Sequence, residues 1–407
     1  MRESIAVTGI GVVSAFGVSR ATFCDGLLRG VSGISGITRF DATRCRTQVL
    51  ASVTGFDATR WISPMKLRRM DQTGSFALVA VQEALADAAM PATVPGRTGV
   101  VLGTYTAGGQ TSYEYLEGLH RGGPSGAPAL LFHSTVGNAA ASLAAMEFSL
   151  RGPNVTVSQK EASGLAAVAD AVHLLREGRA EVVVAGGVDA AFDVFFRVHD
   201  RFNVMSPGAP GTAVSCPFDR RRNGFVMGEG AFALVMARPD ALAPSQRIYG
   251  HVLGVGTAGA TVALNAWPDD SRSIARVMQL AIDDAGLQPD DIDVVFAAAN
   301  STPQLDRVEA EALAALFTPA TLVTSVKGSI GECGAAGAAS CAAALLCAEL
   351  GQVPPVAGLL AADDCAATLN LARAATPWPG PNVLVNSIGS GGSLVSVVMR
   401  AGAASGA

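Results

Sequence analysis

RGPNVTVSQKEASGLAAVADAV, residues 151–172, is the stretch from which the fold is read. The apolar run Val155–Val157 has the length and β-branched content of a buried strand. A polar turn follows, and from Gly164 to Glu177 the apolar positions recur with helical spacing. This strand-turn-helix unit repeats in both directions. Strand-like runs lie at Ile5–Val7, Gly99–Leu102, Val182–Ala185, Ala231–Met236, Val294–Ala298, Val383–Asn386 and Leu394–Met399. Helical patterns lie at Ser75–Ala88, Ser271–Ala285 and Val308–Leu316. Strands alternating with helices predict an α/β protein with a parallel or mixed sheet covered by helices. Two strand-rich halves are expected, 1–240 and 241–407, joined near the proline-containing stretch Arg238–Ser245. Identity between the halves is too low to read a repeat from the sequence.

Composition agrees with this class and excludes others. With 407 residues, 49% hydrophobic and 15% charged, the chain can bury a sheet on both faces. No apolar stretch reaches the roughly 18–20 residues that span a bilayer. The opening MRESIAVTGIGVVSAFG reads as a strand rather than a signal peptide. Seven scattered cysteines without a CxxC pair fit reduced thiols, so the expected location is the cytoplasm. A net charge of −5 without a basic stripe gives no sign of nucleic-acid binding.

Four blocks carry a family resemblance in order along the chain: VTGIGVVSAFG (7–17), CPFDRRRNGFVMGEGAFALV (216–235), KGSIGECGAAGAAS (327–340) and NSIGSGG (386–392). Together they resemble the β-ketoacyl synthases. The first block could also be read as a dinucleotide-binding turn, but it lacks the GxGxxG spacing and a ribose-binding acid. The resemblance implies the thiolase fold, a five-layer α-β-α-β-α sandwich of two similar halves that associates as dimers.

Decarboxylative Claisen condensation needs a thiolate to carry the acyl chain and donors to stabilise an enolate. The synthase family supplies a cysteine at a helix N-terminus, two histidines and a supporting lysine. In this chain Glu161 stands three residues before Gly164-Leu165, where the cysteine is expected. Ala298 takes the first histidine's place in Ala297–Pro303, with Asp306 and Glu309 keeping the acidic pattern that follows. Glu332 stands where the second histidine is expected, with Gly331 the other possible equivalent; Lys327 retains the family lysine. All five histidines (120, 133, 173, 199, 251) lie outside these motifs. The expectation is a chain that performs no condensation.

The sequence is similar to the chain-length factor, or ketosynthase beta subunit, of bacterial type II polyketide synthases. Such a subunit pairs with an active ketosynthase and shapes the tunnel for the growing chain. The family commonly has glutamine at the cysteine position, and Glu161 departs from that pattern. The departure suggests a system that makes polyenes or other reduced chains. The resemblance implies two partners, the catalytic ketosynthase subunit and an acyl carrier protein. It implies no resident cofactor, the 4'-phosphopantetheine arriving on the carrier. The dimer-pairing strand falls at Asn154, Val155, Thr156, Val157 and Ser158. Tunnel-wall candidates are Tyr113, Leu116, Phe132 and Thr135, which could equally be ordinary core packing.

Glu161 is either a favourable charge at a helix N-terminus or a contact across the dimer that shapes the partner's pocket. Arg220–Arg222 are expected in buried or partly buried pairs with acidic residues, while Lys66, Arg68 and Arg69 are expected to begin an amphipathic helix facing the carrier. Ile388 and Ser390 replace the phenylalanines of the family's gating loop. The alternative activity is decarboxylation of malonyl carrier to supply starter units.

Overall fold

The computed structural model describes residues 3–90, 96–263 and 265–402. The strands are β1 (Ile5–Val13), β2 (Thr98–Gly103), β3 (Asn154–Val157), β4 (Val182–Asp189), β5 (Gly230–Ala237) and β6 (Gly250–Gly259). They continue with β7 (Val294–Phe296), β8 (Leu322–Thr324), β9 (Asn370–Leu371), β10 (Asn382–Ile388) and β11 (Ser393–Ala401). These form one continuous sheet in the order β9-β8-β7-β10-β11-β6-β1-β5-β4-β2-β3.

Within that order the same five-strand pattern occurs twice. In the first half β1, β5, β4, β2 and β3 pair antiparallel, antiparallel, parallel and parallel. In the second half β6, β11, β10, β7 and β8 repeat those directions. The halves join where Ile5–Val7 of β1 pairs antiparallel with Gly250–Val252 of β6.

The helices are α1 (Arg20–Leu28), α2 (Gln72–Asp87), α3 (Gly109–Gly122), α4 (Ala139–Glu147) and α5 (Ser163–Arg176). After them come α6 (Asp193–Arg201), α7 (Ser271–Ala285), α8 (Pro303–Leu316) and α9 (Ala336–Glu349). Helices α2 and α4 cover one outer face, and α7 with α8 the other. Between the two half-sheets lie α5 and α9, which touch each other and strands of both halves. The result is the five-layer sandwich of the thiolase fold. No helix among the described residues is long and apolar enough to cross a membrane.

Close approach explains the glycine content at one repeated place. A Cβ on Gly9 of β1 would lie 2.3 Å from the Ala84 carbonyl oxygen of α2. At the equivalent place in the second half, a Cβ on Gly254 of β6 would lie 2.3 Å from the Ala281 carbonyl oxygen of α7. Glycine lets helix backbone rest directly on strand backbone at both positions.

Several expectations need correction. The strand expected at Val294–Ala298 stops at Phe296, and Ala297–Ala299 continue as buried irregular chain. Strand β6, GHVLGVGTAG, was absent from the expected set because its glycines break the apolar run. Helix α9 was also absent: its small residues are buried from Ala336 to Ala348, so no polar face marks a period. Lys66, Arg68 and Arg69 do not begin an amphipathic helix. Pro64–Leu67 is a single turn, the long helix starts at Gln72 capped by Asp71, and Lys66 Nζ pairs with Glu147 Oε2 at 2.6 Å.

Candidate functional site

The two central helices bring the degenerate positions together. The amide of Gly164 donates to the Gly334 carbonyl at 2.7 Å, which brings the start of α5 against the turn leading into α9. Glu161 precedes the first helix and Glu332 precedes the second. Both are buried, with 4% and 3% of their surface exposed.

Glu161 lies in the turn Lys160–Ala162, and its carboxylate points into the chain's own second half. The Ser390 amide donates to Oε2 at 2.8 Å, and the Ser390 hydroxyl lies 2.9 Å from Oε1 and 3.0 Å from Oε2. The Ser387 hydroxyl donates to the Glu161 carbonyl at 3.3 Å. Glu161 does stand just before the N-terminus of α5, and within this chain its carboxylate accepts from the glycine-rich loop. Burial, then the nearby Glu332 carboxylate, pushes its pKa up to about 7.

Around Glu332 the polar groups are fully engaged. Its Oε2 accepts from Lys327 Nζ and from Asn300 Nδ2, each at 2.7 Å. Lys327 Nζ also donates to the Ala298 carbonyl at 2.8 Å. Lys327 is therefore retained, and its cation neutralises Glu332. Burial raises the Glu332 pKa while Lys327 opposes the rise. Ala298 is wholly buried, with its amide donating to Glu309 Oε1 at 2.8 Å, and it presents only a methyl group at the expected histidine position.

Sequence reasoning missed other members of the site. Asp189, at the end of β4, accepts from the Tyr105 and Thr106 amides at 2.8 and 2.9 Å and from the Gly334 amide. His199, distant from every motif in sequence, lines the same cavity; its Nδ1 lies 2.9 Å from the Phe195 carbonyl, and burial lowers its pKa. Cys333 lines it too, and burial holds its thiol well above the ordinary range. The acid at the end of a buried strand was the one available signal, and it was overlooked.

Little space remains. The cavity bounded by Glu161, Glu332, Asp189 and Tyr105 measures about 20 Å³, room for roughly one water. A neighbouring cavity bounded by Glu161, Ser390, Trp267 and Phe202 measures about 30 Å³. Three buried carboxyl groups, Glu161, Glu332 and Asp189, face the first cavity, and ionised carboxylates oppose rather than stabilise an enolate.

The tunnel-wall candidates lie elsewhere, and core packing does not account for them. Tyr113, Leu116 and Phe132 are 43%, 59% and 62% exposed, and Thr135 is half-buried. Phe132 packs against Tyr115 with ring centroids 5.6 Å apart and the rings tilted by 52°. Asn154–Val157 form β3, the terminal strand of the sheet, followed by the exposed Ser158. Its Thr156 hydroxyl is buried without a hydrogen-bond partner among the described residues. Of the arginine run, Arg221 pairs with buried Asp219 at 2.8 Å and buried Arg222 with Asp363 at 2.6 Å, but the Arg220–Asp364 pair at 2.7 Å is exposed, contrary to the expected burial.

Comparison with known proteins agrees with this geometry. The beta-ketoacyl synthase N-terminal domain matches residues 2–241, and the C-terminal domain matches residues 249–359. The tetracenomycin polyketide synthase ketoacyl synthase beta subunit of Streptomyces glaucescens is 32% identical over 87% of this chain and 88% of its own. A 3-oxoacyl-acyl-carrier-protein synthase 2 of Synechocystis is 30% identical over 77% of this chain and 76% of its own. Among solved structures, the ishigamide ketosynthase/chain length factor superposes with a TM-score of 0.90 at 29% identity, covering 99% of this chain and all of that one. With matched sequence across both halves and the same fold around an emptied centre, the chain belongs to the beta-ketoacyl synthase family.

Proposed function

We propose that this chain is the chain-length factor of a bacterial type II polyketide synthase, the non-catalytic partner of an active ketosynthase. The observation that carries the reading is the filled centre. Glu161 is tied to Ser390, Glu332 to Lys327, Ala298 offers a methyl group, and about 20 Å³ is left. Similarity to the Streptomyces glaucescens beta subunit and to the ishigamide ketosynthase/chain length factor supports the same assignment.

Its remaining work is to form a wall. The exposed Tyr113, Leu116 and Phe132 form an apolar surface that a soluble monomer would rarely leave bare. The strand β3 ends the sheet, and its free backbone edge is suited to pairing across a dimer axis. In this reading the ketosynthase subunit covers both, the growing chain passes along the interface, and the bulk of Tyr113 and Phe132 limits its length. The chain holds no cofactor of its own; the pantetheine arrives on the carrier protein and loads the partner. Both proteins work in the cytoplasm. Glu161 in place of glutamine favours a system making polyenes or other reduced chains.

Decarboxylation of malonyl carrier is disfavoured. A malonyl carboxylate would meet the Glu161, Glu332 and Asp189 carboxyl groups, neither family histidine is in place, and like charges repel it. The test is co-purification with a ketosynthase and carrier, followed by product analysis. The complex should make product, and Tyr113→Ala or Phe132→Ala should lengthen it. Carbon dioxide release from malonyl carrier by this chain alone would overturn the assignment.

A further inference from the structure

The glycine-rich loop Gly389–Gly392 separates two spaces. On its outer side Gly391 and Gly392, with Gln159 and Ser393, line an open groove of about 370 Å³. On its inner side Ser390 lines the small cavity beside Glu161, and only 8% of Ser390 is exposed. The loop is held at several points. Glu161 accepts from the Ser390 amide and hydroxyl, Gly391 donates to the Ala266 carbonyl at 3.1 Å, and Gly389 donates to the Ser393 carbonyl at 2.8 Å. Lys160 bridges the same opening through Asn265 Oδ1. Of these ties, the Glu161 carboxylate is the one that reaches the loop from the degenerate centre itself.

We infer that Glu161 and Ser390 form a latch that keeps this loop shut across the vestigial mouth, so that a pantetheine arm is excluded from this subunit. Glu161 is thus a positioning residue. It stands at the former nucleophile position and seals the route by which a carrier would reach it. A carboxylate suits the task because its two oxygens accept the amide and the hydroxyl of one serine together. A complex of two similar chains offers the carrier two similar mouths, and the latch leaves one of them productive. This inference rests on the proposed pairing with an active ketosynthase only for its consequence; the latch belongs to this chain.

Cys333 reports on the closure, since its buried thiol lines the cavity next to the one that Ser390 lines, the two sharing Tyr105, Glu161 and His199. Cys341 and Cys347, buried within α9, serve as internal controls. The full chain, co-purified with its ketosynthase, is treated at pH 8 with a bromoacetamide-bearing pantetheine, and the alkylation rate of each cysteine is read by peptide mass spectrometry. Glu161→Ala should raise labelling of Cys333 more than tenfold and leave Cys341 and Cys347 unchanged. Glu161→Gln, which keeps an acceptor for the Ser390 amide, should restore most of the protection. Ser390→Ala, which keeps the amide but loses the hydroxyl, should fall between and replaces Glu161→Ala if that variant does not fold. Equal Cys333 labelling in the native chain and Glu161→Ala, or a rise at Cys341 in step with Cys333, would overturn the latch. If no ketosynthase co-purifies, the functional assignment fails, while the labelling of the chain alone still decides the latch.

Discussion

Replacing Glu161 with glutamine should stabilise the protein, and by an amount that depends on pH. The carboxyl is 4% exposed, and its pKa rises from an ordinary 4.5 to about 7, chiefly through burial. The folded chain therefore holds a proton between those two pH values that the unfolded chain has released. With more protons bound in the folded state, stability falls as pH rises through that window. Treating glutamine as a stand-in for the neutral acid, the native chain is weaker by about 3 kcal/mol at pH 8 and by less than about 1 kcal/mol at pH 5. Glutamine keeps one acceptor oxygen for the Ser390 amide, so the loop contact survives the exchange. The assay is thermal unfolding of the purified complex, native and Glu161→Gln, at matched buffers from pH 5 to 8. The variant's midpoint should lie above the native one at pH 8, and the gap should close as pH falls. A variant that is less stable at pH 8, or a gap that does not change with pH, refutes the reasoning. Either outcome would mean that the ionised carboxylate is held as a favourable anion rather than tolerated at a cost.

Removing Lys327 should be more damaging than removing most surface lysines. Lys327→Met leaves Glu332 buried without its cation, which costs about 3–5 kcal/mol and should appear as a lower melting point or loss of soluble complex. The double variant Lys327→Met with Glu332→Leu should recover much of that loss, because neither charge then remains buried. Gly254→Val should disrupt the second half, since its Cβ would sit 2.3 Å from the Ala281 carbonyl and force β6 from α7. Overpacking of this kind costs about 1–3 kcal/mol and is measured by denaturant unfolding. Exposed Leu116→Ser should leave the chain's own fold intact yet weaken association with the ketosynthase, read by size-exclusion chromatography of the mixed subunits.

Much of the fold was legible because buried strands and helices write their burial into local pattern. β4 and β5 are buried along their whole length and read as continuous apolar runs. Strand β6 and helix α9 escaped for the converse reason. Glycine in β6 and small residues throughout α9 serve close backbone approach, and that leaves no periodic contrast to detect. In the site, the missing nucleophile and missing histidines were visible at Glu161, Ala298 and Glu332, since an absent chemical group is a property of one position. The partners of those residues were not visible, and neither were His199 and Asp189, which reach the cavity from elements remote in sequence.

By itself the sequence determined the α/β class, the family blocks and the absence of the family's cysteine and histidines at Glu161, Ala298 and Glu332. Tertiary structure alone decided what filled the gap. The internal repeat emerges only in the order and direction of paired strands, because the halves share backbone pairing rather than side chains. Glu161 meets Ser390 across 229 residues, and Lys327 reaches both Ala298 and Glu332, because α5 and α9 cross between the half-sheets. Local pattern records how deeply a residue is buried. Which distant residue it is buried against depends on sheet order and helix crossing, and those decided that Glu161 ties down a loop.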